Sequence, residues 1–418
     1  MQPVPYARNP FGRNRGQVMT TDRDLDGLRE AIGRTMKAED GTRAGAGAGA
    51  PHLTPFEIRR ELPGSNHSRL LQLLHESGDL SRADLARAVG LTKATVSSLI
   101  AEMIREGLVV ETRQRAVDGP GRPAVDLNID RLNWLVVAVD LSPDRELRGA
   151  LIDLAGNVHV RESIATEGAL GDAALQKTIE LIDRLILRAD RRILGVGVCA
   201  PGTVDNEGRV LASHNLDWVG LPLKAEIERH TNLPTCVAND ANAAALAERD
   251  LYASEEDLML VKIGFGVGAG IITNGQLVQG SRFTAGEIGH VAVGGDGGPR
   301  CVCGREGCLE ATLSLPRLVA RVEESPDAAR EGVLRDAGEC LAIVLAPLVG
   351  SLGLEAVVVT GLIDPFVEPI LSSTRDALRA RLAAEVVDSL DLRVSEVGDD
   401  LVLQGAMSLV ASAVLGIQ

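Results

Sequence analysis

The sequence predicts a small helical unit carrying a β wing, followed by a larger, duplicated α/β region with a cleft between its halves. Two patterns lead there. Residues 66–131 show three short helical stripes, closed by glycines or capping residues, and then two strand-like runs. From Trp134 onward, strands that come in threes are followed by helix and strand, and this order begins again near Leu258. Such a recurrence is how a duplicated α/β fold is written in a sequence. Charge divides at the same place. The net charge is −15, yet residues 1–65 carry +2 and residues 66–131 hold nine basic and nine acidic side chains. All of the acidity therefore sits in the C-terminal body, which repels nucleic-acid phosphates. Any contact with DNA has to come from the neutral N-terminal third.

The bulk composition sets further bounds. With 418 residues and 45% hydrophobic side chains, the chain is long and apolar enough to bury sizeable cores. No run of eighteen apolar residues occurs, and the polar, Arg-containing start lacks the apolar segment of a secretion signal. A cytoplasmic chain that does not span a membrane is the expectation. Six cysteines do not suggest a disulfide framework at this length, and three of them crowd into residues 301–308, which points to metal.

Taken in order, residues 1–62 are expected to be a disordered tail and linker, because they are polar and contain the low-complexity run Arg43–Pro51. Residues 63–131 are expected to form the first folded unit. Leu70, Leu71, Leu73 and Leu74 give its first helix an apolar face. Ser81 and Asp84 form an acidic capping box that opens the second helix, and Gly90 closes it. Thr92 caps a third helix whose core stripe is Val96, Leu99 and Met103, and Gly107 stops it. Leu108–Thr112 and Ala124–Ile129 are the expected wing strands, joined by the turn Asp118–Pro123. Residues 132–418 then form the body: a meander over Trp134–Asp140, Leu147–Leu154 and Val158–Ser163, a helix over Ala169–Ala189, and buried strands at Ile193–Cys199 and Thr235–Ala238.

Two helices joined by a tight Gly-containing turn, with a wing behind, match a winged helix-turn-helix. The start of its third helix offers Lys93, Thr95, Ser97 and Ser98. These are small polar side chains with one cation, which let a helix sit deep in a major groove. Arg122, on a stiff Gly/Pro turn at the wing tip, suits a minor groove. The expected partner is a double-stranded DNA operator, bound by a symmetric dimer or tetramer.

Two further constellations lie in the body. His290 with Cys301, Cys303 and Cys308 makes a Cys3His set, the donor chemistry of a closed structural Zn2+ site, and Gly304 and Gly307 permit the turns that bring the sulfurs together. Around it lie groups suited to a polyol: Asn239 and Asp240 at a strand-to-helix junction, Glu287 one turn before His290, and Glu310 just after the last cysteine. Asn239 reads equally well as a helix N-cap. The glycine-rich Gly264–Gly270 either cradles phosphate or lets backbone pack closely.

Over about residues 66–418 these motifs resemble the ROK family of sugar kinases and repressors. Gly286-Glu287-Ile288-Gly289-His290 and Cys301-Val302-Cys303-Gly304-Arg305-Glu306-Gly307-Cys308-Leu309-Glu310 carry the resemblance, with Ala200–Asp205 and Asn239–Asn242. It implies a two-lobed, actin-like (ribonuclease-H-like) sugar-kinase fold. A sugar or sugar phosphate would lie in its cleft against Asn239, Asp240, Glu287, His290 and Glu310, with Asp240 at the place of the kinases' general base. His290 would share one ring nitrogen with zinc and turn the other to the sugar. One departure from the kinases matters most. Where they carry an Asp-x-Gly-Gly-Thr phosphate loop, this chain reads Asp140-Leu141-Ser142-Pro143-Asp144. Proline removes an amide donor and Asp144 adds negative charge, which disfavours phosphoryl transfer. The stretch near Gly361 also lacks the glycine pair of an adenosine site. A sugar-responsive, kinase-inactive regulator of carbohydrate metabolism is therefore expected. An active sugar kinase with an added DNA-binding arm is the alternative.

Overall fold

The computed structural model describes residues 65–114, 124–142, 145–252, 256–294 and 298–417. The expected tail (1–62), Arg122 at the wing tip, and Pro143 and Asp144 lie outside the described residues.

The first unit forms for local reasons that the sequence states. Helix α1 (Asn66–Ser77) is capped by Ser65, whose hydroxyl accepts from the Ser68 amide. Helix α2 (Arg82–Val89) opens on the complete capping box, with Asp84 accepting back from the Ser81 amide at 3.1 Å. Helix α3 (Lys93–Glu106) starts at Thr92 and stops at Gly107, whose φ of 76° is the left-handed conformation that favours glycine. Leu70, Leu74, Leu85, Val96, Ile100 and Met103 fill the core. Ile100 takes the place expected for Leu99, which is only half-buried, because Val96 and Ile100 at i and i+4 share the inward face. Strands β2 (Val109–Gln114) and β3 (Val125–Ile129) pair antiparallel as the wing. A two-residue strand β1 (Leu80–Ser81) joins the other edge of β3. A run that short has no periodicity for a sequence reading to find.

The body is duplicated. Strands β4 (Trp134–Asp140), β5 (Glu146–Asp153) and β6 (Val158–Ala165) form a meander, and β7 (Arg192–Ala200) and β11 (Thr235–Asn239) extend it in parallel, giving the order β11-β7-β4-β5-β6. Strands β12 (Leu258–Ile263), β13 (Val267–Thr273) and β14 (Gln276–Leu277), with β15 (Ala356–Thr360) and β16 (Asp391–Val394), repeat it as β14-β13-β12-β15-β16. The first half also holds helix α4 (Asp172–Leu187), within the expected Ala169–Ala189, together with helix α5 (Leu223–Thr231) and a small sheet of β8 (Thr203–Val204), β9 (Val210–Ser213) and β10 (Trp218–Leu221) that the sequence reading did not resolve. The second half holds α7 (Leu309–Leu313), α8 (Leu315–Glu324), α9 (Asp327–Leu352), α10 (Val367–Arg379) and α11 (Ala384–Ser389).

Helices α6 (Asp240–Leu251) and α12 (Leu401–Leu415) lie between the two sheets. Ala243, Ala244, Ala247 and Ala406 meet Ala138 and Cys199 from one sheet and Leu258, Leu260 and Val358 from the other. The fit depends on absent side chains. A Cβ on Gly270 would stand 2.6 Å from the Ala241 carbonyl oxygen, and one on Gly405 only 2.0 Å from that of Ala243. Helix α12 is apolar enough over Gly398–Leu415 to resemble a membrane span by composition, but here it is a core helix.

The far end of α12 leaves the body. Val410, Ala411, Val414 and Leu415 join one continuous cluster with Leu70, Leu74, Val96 and Trp134, so the winged unit shares its core with the body. The Trp134 indole donates to the Gly107 carbonyl at 2.9 Å, and Arg192 donates to that of Glu106 at 2.7 Å, so both grip the end of α3.

Two glycines placed in different helices test this packing. Gly405→Ala should cost about 1–3 kcal/mol in urea unfolding, because the methyl group meets backbone that cannot yield. Gly332→Ala, at an exposed position within α9 with nothing within 4 Å of its added Cβ, should be neutral or stabilise by up to about 1 kcal/mol. Equal effects would show that the α6–α12 contact is not under the stated constraint.

Candidate functional site

Four elements converge on the cleft. The β11–α6 junction brings Asn239 and Asp240, the turn Ile288–His290 brings Glu287 and His290, the start of α7 brings Glu310, and β12 brings Lys262. They border a cavity of about 160 Å3 together with Ser213, His214 and Asn215 from the β8–β10 insertion. All five polar residues expected to meet a polyol are thus brought together around one space.

Their hydrogen bonds differ. Asn239 is the N-cap of α6: its side-chain oxygen accepts from the Asn242 amide at 3.0 Å, and its amide nitrogen donates to the Gly202 carbonyl at 2.9 Å. The residue caps the helix, and it also lines the cavity. Asp240 is 8% exposed, and its Oδ2 lies 2.9 Å from Lys262 Nζ. Burial works against the Lys262 charge, but Asp240, and after it Asp140, outweigh burial and hold the ammonium above its usual range. Glu310 is fixed by the Val267 amide at 3.1 Å. Glu287 points into the open cleft. Burial by the cleft walls pushes its carboxyl up, with Asp240 and Glu310 adding to the effect against His290 and His214.

Lys262, Ser213, His214 and Asn215 were missed in the sequence. Lys262 left a signal, as a lone charge inside the apolar strand Leu258–Ile263. The other three sit in a short-stranded insertion with no pattern to mark them.

The glycine-rich segment serves packing. Gly270 admits α6, and a Cβ on Gly266 would come within 2.9 Å of the Glu310 carboxylate. At the end of β4, Asp140 is fully buried. It accepts from the Ser142 amide at 2.9 Å, from the Ser142 hydroxyl at 2.5 Å and from Arg148 at 3.2 Å.

The ligand atoms of His290, Cys301, Cys303 and Cys308 all lie within 4.8 Å of one another. Cys303 and Cys308 sulfurs are 3.7 Å apart, and Cys301 Sγ is 3.5 Å from His290 Nδ1. A tetrahedron with metal–sulfur bonds of ~2.3 Å has edges of about 3.8 Å, so the donors fit a zinc ion. Burial pushes the Cys301 thiol up to about 12, and a cation held among these donors would favour the thiolate. With Nδ1 toward the sulfurs, His290 still borders the cavity.

On the winged unit, Lys93, Thr95, Ser97 and Ser98 are all exposed, on the face of α3 away from its core.

A winged helix-turn-helix fused to a two-lobed kinase-like body defines a transcriptional regulator with a small-ligand cleft. The chain belongs to the ROK family: the model of that family matches residues 136–413, and a MarR family model matches residues 60–119. The xylose repressor of Bacillus subtilis is 27% identical over 365 residues, covering 82% of this chain and 94% of its own. A solved ROK family transcriptional regulator, described as a homologue of the E. coli Mlc protein, superposes with a TM-score of 0.72 at 27% identity. It covers 84% of this chain and 96% of that one. A ROK family glucokinase from Streptomyces griseus, solved with glucose and AMPPNP, gives 0.58 at 25% identity over 66% of this chain and 98% of that one.

Purified protein should carry close to one zinc per chain by elemental analysis. Cys303→Ser should lose it, because three remaining donors leave the tetrahedron open. Full zinc retention in that variant would refute the assignment.

Proposed function

We propose that the chain is a sugar-responsive repressor whose cleft holds a neutral monosaccharide without phosphorylating it. One observation carries the second half of this reading. Both aspartates that would serve phosphoryl transfer are engaged within the protein, Asp140 by Ser142 and Arg148, and Asp240 by Lys262. Phosphoryl transfer rests on positioning and on stabilising negative charge. A carboxylate at Asp140 closed by Ser142 and Arg148 is not free to hold a phosphate-bound cation. Pairing with Lys262 makes Asp240 a weaker proton acceptor while leaving it able to accept a hydrogen bond. Three carboxylates around the cavity, Asp240, Glu287 and Glu310, also repel a phosphate ester and favour a neutral polyol. The repressors among its relatives, and the shared core of winged unit and body, support the regulatory half. In this reading a structural zinc fixes the tautomer and direction of His290, so that Nε2 meets the sugar. Lys93, Thr95, Ser97 and Ser98, with Arg122, read an operator as part of a symmetric cytoplasmic dimer or tetramer.

Two measurements test the two halves. A point substitution suits the DNA half better than removal of residues 1–131, because removal would uncover Val410, Val414 and Leu415. Ser97→Glu places a carboxylate on the groove-facing surface. It should weaken binding to promoter DNA flanking its own gene by about ten-fold or more in a mobility shift, with calorimetric sugar binding unchanged. Unchanged DNA affinity would place the DNA contact elsewhere.

For the cleft, ADP release with D-glucose or D-xylose should not exceed that of Asp240→Asn. Turnover near about 10 per second would establish the kinase alternative instead.

A further inference from the structure

Lys262 stands out in the cleft by chemistry. The other charged groups bordering the cavity are the carboxylates of Asp240, Glu287 and Glu310, which when ionised can only accept hydrogen bonds. His214 and His290 are the remaining titratable groups there, and His290 faces the cysteines with one nitrogen. An ammonium is the opposite kind of group, with three N–H donors and no acceptor. Lys262 Nζ is held 2.9 Å from Asp240 Oδ2 and also lies in the field of Asp140. One N–H direction is taken by Asp240, while the side chain borders the cavity. A second observation marks the same cavity as built for a ligand. The Ser213 hydroxyl is 3% exposed, borders the cavity and has no hydrogen-bond partner in the protein. A buried polar group without a partner costs free energy unless a ligand or water satisfies it.

We propose that Lys262 is a specificity-determining residue for the effector, the donor half of a sugar-reading pair with Asp240. One ring hydroxyl of the monosaccharide donates to the Asp240 carboxylate. The neighbouring oxygen on the same ring accepts from the Lys262 ammonium. Side by side, a carboxylate and an ammonium fit two vicinal oxygens, and they reject a ring that lacks either one, because a buried charged group is then left unsatisfied. The ion pair has a second effect. It keeps the Asp240 carboxylate as a fixed acceptor toward the ring. This inference deepens the reading of the cleft as a monosaccharide site and rests on it.

Calorimetry without nucleotide tests it, using D-glucose, D-xylose and the 2-, 3-, 4- and 6-deoxy derivatives of D-glucose against wild type, Lys262→Met and Lys262→Gln. The wild type should bind a parent sugar and lose about ten-fold or more in affinity for at least one deoxy analogue. Lys262→Met should bind the parent at least about ten-fold more weakly and bind that analogue no differently from the parent. Lys262→Gln, which keeps neutral N–H donors, should fall between the two, and it carries the test by itself should the Met variant fail to fold. Parent affinity within about two-fold of wild type in the variants, or unchanged discrimination against the analogue, overturns the role of Lys262 while leaving the sugar site standing. A wild type that binds none of these sugars overturns the monosaccharide reading and this inference together.

Discussion

The structure depends on how closely two helices approach between two sheets. Helices α6 and α12 run through the middle of the body with alanine and glycine at their contacts, and no larger residue fits where Gly405 meets Ala243. Interiors packed this densely transmit displacement instead of absorbing it. Helix α6 begins at Asn239 and Asp240 in the cleft. Its other end is tied to the second sheet, where the fully buried Glu248 pairs with Arg393 and accepts from the Ser395 hydroxyl at 2.7 Å. Arg393 also covers the Tyr252 ring at 4.1 Å. Helix α12 touches α6 along one side and completes the core of the winged unit at its end. Cleft and winged unit are thus mounted on the same two helices.

The cysteine-rich loop follows a similar logic on a smaller scale. A stretch with so little apolar content gains little shape from burial, and it gathers three sulfurs and one imidazole within 4.8 Å of one another. His290 belongs to both constellations, so the geometry of the loop sets the direction of a cleft residue. Gly289 and Gly286 sit within contact of the β13 backbone and seat the turn that carries Glu287 and His290.

Much of this was legible in the sequence, for identifiable reasons. The capping box at Ser81, the stops at Gly90 and Gly107, and the two recurring strand orders are local codes, and the local structure follows them. The Cys3His set was legible because its ligands are close in sequence. The role of Lys262 was not, beyond its being a lone charge in an apolar strand, because its partner lies at the start of a helix: pairing with Asp240 joins residues 22 positions apart through the fold. Ile100 replaced Leu99 in the core of α3 because two apolar neighbours compete for one face, and only packing decides between them. The departure at Asp140–Asp144 could be read from the sequence, but the closing of the Asp140 carboxylate by Ser142 and Arg148 could not.

The scarcity of aromatic residues has a practical side. The chain contains two tryptophans, and each sits at a joint. Trp134 lies 1% exposed at the seam between winged unit and body, under the Arg192 guanidinium at 5.7 Å. Trp218 lies 3% exposed in the insertion beside the cleft, its indole donating to the Gly171 carbonyl at 2.8 Å. The protein therefore carries two tryptophan fluorophores, selectively excited at long wavelength, that report separately on its two junctions. With either one changed to phenylalanine, the emission of the other becomes a label-free optical record of movement at a single joint.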